Sequence, residues 1–274
     1  MIFQEGHSGV VRLSDCLKVN VGNALETARQ SVEMHRKHAR ALKQMRGIAR
    51  RQLSNTKEEK LQDRNCGDKL ADVAAGIPIE DVRAAIMLQG RLHAETFNVL
   101  LTACFVLESY INSLGFFLLR ERDIIGLFRN STSAAADALL EAVEKMSAID
   151  KWQTIGKLKT EGGFDSSRSP YQDLKILFKF RNDHVHDKVT DWSAATSRKR
   201  YGGKLPETFG GVLDLSHAVY ACDTYWCMVQ KIHELVGVAT SEFHGRYNLS
   251  PWFDKPFEQE VRKTASVISG ISEA

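Results

Sequence analysis

The sequence is poor in the residues that break or staple a chain. Five prolines in 274 residues leave long stretches open to helix, and 43% hydrophobic against 26% charged residues describes a globular chain rather than a disordered one. Five cysteines, Cys16, Cys66, Cys104, Cys222 and Cys227, form neither a CxxC pair nor the even set of a secreted framework. They read as reduced thiols of a cytoplasmic protein, and structural zinc does not fit them. The N-terminal MIFQEGHSGVVRLSD has no basic stretch leading into an apolar one, so it predicts no export signal. Internal repeats and low-complexity tracts are missing as well.

Long apolar runs are scarce, and one needs a membrane test. Thr96 to Leu119 is 24 residues with a single charge, Glu108, long enough to cross a bilayer. Yet Asn98, Thr102, Ser109, Asn112 and Ser113 recur within it, and a central carboxylate costs about 2.5 kcal/mol or more in lipid. The expectation is a buried core helix and no membrane partner.

What is abundant is helical periodicity. Residues 1–20 are weakly patterned and read as an arm, with a short strand at GVVRL. From residue 21 to 64 the pattern is a long amphipathic helix, with Leu25, Ala28, Val32, His35, Ala39 and Leu42 on one stripe and Arg36, Arg40, Lys43 and Arg50 on the other. Between Arg29 and Arg64 eleven Lys/Arg meet four Asp/Glu, a local excess of seven in a chain whose net charge is +3. Such a segment suits phosphate, although a solvated face or an acidic partner explains it equally. Residues 65–78 read as a linker, 79–238 as four or five helices forming a bundle, and 239–274 as a tail whose short helix begins near Glu258. The fold class expected is all-α.

The densest chemistry lies in FKFRNDHVHDKV, Phe178 to Val189. Leu174, Leu177, Phe178, Arg181 and Val185 fall on one stripe, so the motif ends a buried-face helix. Asn182 and His186 are four apart and share a face, whereas Arg181 and His186 diverge by about 140° and need the arginine to bend. A guanidinium to hold a phosphodiester beside an imidazole to move a proton is what metal-free RNA cleavage requires. A metal site fits poorly, because His184 and His186, two apart, point to opposite sides of a helix. A plain helix end, which attracts His and Lys to its negative pole, would carry the same residues.

Arg181, Asn182 and His186 match R-polar-x3-H, the signature of the HEPN domains (higher eukaryotes and prokaryotes nucleotide-binding), and the chain resembles that family. VLESYINSLGFF resembles its first long helix, and IDKWQTIGKLKTEGGFDSSRSPYQDLKILFKFRNDHVHDK its loop and motif helix. A capping helix follows at Leu213 to Val236. The likeness spans Ile79 to Val238. It implies a helical bundle that pairs as a homodimer, two motifs meeting in one cleft, and in many members a metal-independent endoribonuclease of toxin–antitoxin, abortive-infection or phage-defence systems. It also implies that His186 is the general base or acid on the ribose 2′-OH, that Arg181 stabilises charge on the phosphorane, and that Asn182 orients one of them. RNA, a second copy and an antitoxin or defence partner are the expected partners, and no cofactor is expected. Glu108, four residues before Asn112, would hold Arg181 with it or else face solvent. His184 and Asp187 would support the cleft or only the helix end. Trp152, Tyr225 and Trp226 are expected in the core or a dimer contact. A non-catalytic HEPN dimer that binds RNA, nucleotide or a protein as sensor stays open beside the nuclease, as does a purely structural helical protein.

Overall fold

The structure, a computed structural model, describes residues 2–41, 43–44, 76–118, 133–157, 162–185, 201–206, 212–236 and 249–273. Its regular elements are α-helices, and no strand occurs among the described residues. In chain order these are α1 (Ile2–Lys37), α2 (Ile79–Leu118), α3 (Ser133–Lys145), α4 (Ala148–Gly156), α5 (Tyr171–Val185), α6 (Leu215–Val236) and α7 (Lys255–Glu273).

The 40-residue α2 is the axis of the molecule. Pro78 opens it, its carbonyl accepting from the amides of Asp81 and Val82, and Glu80 and Asp81 sit at the positive end of the dipole. Val99, Ala103, Val106, Leu107, Ile111 and Leu114 are buried along it. By length and composition Ile79–Gly115 could cross a membrane, but half of that apolar stretch is buried against other helices. Helix α1 runs antiparallel beside it: Asn20 Nδ2 donates to Thr102 Oγ1 at 2.9 Å, while Lys37 and His38 both reach Asp81 at 2.8 Å.

The N-terminal segment is not an arm. Val10, Leu17, Val21, Ala24, Ala28 and Val32 form one buried stripe that continues across the boundary expected at residue 20. Gly6, Gly9 and Gly22 lower local helix propensity by about 1 kcal/mol each, which weakens the pattern read from sequence, and burial against α2 outweighs it. The C-terminal segment differs likewise. Asp254 Oδ1 accepts from the Phe257 amide at 2.7 Å and caps a 19-residue helix whose Val261, Ala265 and Ile268 join the same core as α1, α2, α5 and α6. Thus both ends, outside the span of the HEPN resemblance, contribute to one continuous core.

At the centre Trp152 of α4 stacks on Tyr110 of α2, with centroids 6.0 Å apart and planes 7° apart, and meets Phe164 edge-on. Tyr110 also hydrogen-bonds His233 of α6. Trp152 and Tyr225 are fully buried, and Trp226 packs partly buried against the core. The linker residues 65–75 lie outside the described residues.

Candidate nucleic-acid interface

Helix α5 delivers the motif residues to the surface of α2. Ser147 caps the short α4 by accepting from the Asp150 amide at 3.2 Å, and α4 then packs beside α2 and α5. Within α5, Leu174, Leu177 and Phe178 are buried as their stripe predicts. Phe180 is buried too, but Val185, the last residue of the helix, is 51% exposed. The Cys104 thiol of α2 lies 3.8 Å from the Leu177 carbonyl, and burial raises its pKa to about 12.

Arg181 is held on three sides. Its Nη1 donates to Glu108 Oε2 at 2.9 Å, its Nε and Nη2 donate to Asn182 Oδ1 at 3.1 and 3.0 Å, and its guanidinium lies over the Phe178 ring at 4.9 Å. The side chain therefore leans back along α5, toward its N-terminus. One N–H on each terminal nitrogen has no partner among the described residues, and the side chain retains 19% of its exposure. Glu108 thus pairs with the motif arginine while its side chain stays 42% exposed. Asn112 does not join it: its Oδ1 accepts from Lys151 of α4 at 2.8 Å, because it lies further round α2 than Glu108.

His184 donates from Nδ1 to the Phe180 carbonyl at 2.9 Å and stacks on the Phe180 ring with centroids 4.0 Å apart. Beside it Tyr201 donates to Asp183 at 2.8 Å and meets the Phe180 ring edge-on. His93 of α2 faces this end as well. Its Nδ1 accepts from the Leu213 amide at 3.0 Å, and burial, followed by the facing imidazoles of His184 and His217, holds its pKa below the usual histidine value. Lys151, Tyr201 and His93 carry no sequence signal that marks them, since each is brought in by a tertiary contact. His186 and Asp187 lie outside the described residues, as does Arg50.

The basic cluster is elsewhere. Arg36, Arg40 and Lys43 are exposed at and beyond the end of α1, beside the Asp81 end of α2. Glu108 and Asp81 are 27 residues apart on one helix, so this cluster and Arg181 are separated by about 40 Å along α2. Arg36 shares a groove of about 720 Å³ with Arg29, Glu33, Glu260 and Lys263 from α1 and α7, a surface of mixed charge. Among the described residues no group of three or more His, Cys, Asp or Glu is placed to hold a metal ion. No family model, no curated protein and no solved structure matches the chain.

Proposed function

We propose that this chain is a metal-independent endoribonuclease of the HEPN type, acting as a homodimer in a toxin–antitoxin or phage-defence setting. The ribose 2′-oxygen attacks the adjacent phosphorus, the bond to the 5′-oxygen breaks, and a 2′,3′-cyclic phosphate is left. His186 takes the 2′-OH proton or returns one to the leaving 5′-oxygen, and Arg181 stabilises the charge on the non-bridging oxygens. The observation that carries this reading is the guanidinium at the end of α5, fixed by Glu108 and Asn182 with one N–H on each terminal nitrogen unpartnered among the described residues. A guanidinium held in one orientation needs no reordering when charge develops, and its paired donors suit phosphate oxygens.

The same geometry gives some support to a second reading, a HEPN dimer that binds RNA or a protein without cutting, because Glu108 partly neutralises the arginine a phosphate would seek. The two readings separate in one assay. Purified protein is incubated in EDTA with labelled single-stranded RNA and the matching DNA, beside His186→Ala. Cleavage of RNA alone, ending in cyclic phosphate and lost in the variant, is expected. A folded dimer that binds the RNA but never cuts it would favour the second reading.

A further inference from the structure

We propose that Phe105 is a nucleobase platform: one base of a single-stranded RNA stacks on its ring while the neighbouring phosphates lie toward Arg181 and Lys151. The inference rests on the ribonuclease reading and deepens it by naming the strand's seat on α2.

Phe105 is 48% exposed, although Ala103, Cys104, Val106 and Leu107 around it are fully buried. A lone exposed apolar residue is ordinary. What distinguishes this one is its company. On α2, Glu108 and Cys104 face α5, and Thr102 faces α1 through Asn20. At 100° per residue Phe105 falls between those two directions, on the strip of α2 that neither helix covers. Arg91, Ala94, Asn98, Phe105 and Asn112 share that strip, and all are exposed. Two cations are drawn to its edge from different helices, Arg181 through Glu108 and Lys151 through Asn112. Those anchor points are one turn apart, about 6 Å along the axis, which matches the scale on which phosphates follow one another in an extended strand.

In the other direction the strip runs through Asn98 and Arg91 to Met87, 74% exposed, on the way to the cluster at Arg36, Arg40 and Lys43. A strand lying on it would touch cations at both ends and an aromatic face between them, the combination that holds single strands without reading their sequence. Glu108 opposes the phosphate charge, so the stack supplies attraction where the guanidinium is half neutralised. A double helix, whose bases are stacked inside, could not use the ring.

The test uses the full chain carrying His186→Ala, so that RNA is bound and not consumed. Affinity is measured for a fluorescent single-stranded RNA and for its duplex, with Phe105 intact and with F105A, F105L and F105W. The expected result is single-strand binding weakened roughly 5- to 150-fold by F105A, the range of one lost base–aromatic stack. F105L is equally weak, F105W restores binding with its fluorescence quenched by RNA, and duplex binding is unmoved. Leucine binding as well as phenylalanine would overturn the stack, and so would F105A dissociating the dimer in light scattering, which assigns the ring to a contact between copies. In the chain with His186 restored, cleavage with an unchanged KM in F105A would sink this inference alone. RNA neither bound nor cut by the intact chain would sink the ribonuclease reading with it.

Discussion

Arg181 commits three of its five N–H groups to Glu108 and Asn182, and the rest of the site is arranged by similarly local choices. The arginine and asparagine were readable from adjacency, and Glu108 from being the lone charge in an apolar run. Asn112, which the spacing allows to join Glu108 at Arg181, turns to Lys151 instead, because a four-residue spacing places two side chains near each other but does not say which neighbouring helix lies against each. His93 was invisible, since its role depends on an amide 120 residues away. That amide has a measurable consequence. With Nδ1 accepting from Leu213 and the ring partly buried, the neutral form of His93 is favoured in the folded protein, so its folded pKa lies below the unfolded value near 6.5. Above that value both states are neutral and pH has no effect through this group. As pH falls below it the unfolded state binds the proton first, and stability is lost until the folded pKa is passed. Melting temperatures at pH 7 and pH 5 are expected to converge in His93→Gln, whose amide oxygen can still accept from Leu213. An undiminished difference in the variant would show that His93 stays protonated or solvated in the fold.

Helix α7 shows what sequence periodicity hides at the level of an element. Its apolar residues are few, so it read as a short tail helix, yet a polar clasp fixes its place on α6. Arg262 donates to both oxygens of Asp223 at 2.9 and 2.6 Å, reaches Glu258 one turn back, and lies 5.3 Å from the Trp252 ring. Asp223 first, and then Glu258, raise the guanidinium pKa against the opposing effect of burial. The pair is about 40% exposed, so solvent screens it, and Arg262→Ala is expected to cost only about 1–2 kcal/mol from the bidentate contact and the ring together. Amide exchange should therefore quicken across Lys255–Glu273 while α2 stays protected, and Arg262→Lys, which keeps the charge but not the fork, should fall between. Equal protection in all three proteins would mean that Val261, Ala265 and Ile268 alone hold the helix. The clasp was illegible because Asp223 and Arg262 are 39 residues apart and nothing in the pattern pairs them.

For the whole molecule the decisive element is α1. Its helical character was legible from about residue 21 onward, and the all-α class followed from the scarcity of proline and the 3–4 spacing in segment after segment. The boundary expected at residue 20 falls where glycines thin the pattern, although the tertiary contact runs straight through it. Val10 and Leu17 have no exposed surface, and Ser14 and Lys18 of the same helix are buried too. Burying an aliphatic side chain of this size contributes roughly 1.5–3 kcal/mol, so these two alone account for about 3–6 kcal/mol. Asn20 adds its bond to Thr102, and losing the segment would also bare the face of α2 that it covers. Typical domains have only about 5–15 kcal/mol in total. A protein lacking residues 1–20 is therefore expected to lose cooperative thermal unfolding, read by circular dichroism, and to aggregate through the uncovered face. A dispensable arm predicts the opposite: a sharp transition within a few degrees of the full chain. That result would also free the first 20 residues for recognition of RNA or a partner, whereas loss of folding assigns them to the scaffold that carries Glu108 and Phe105.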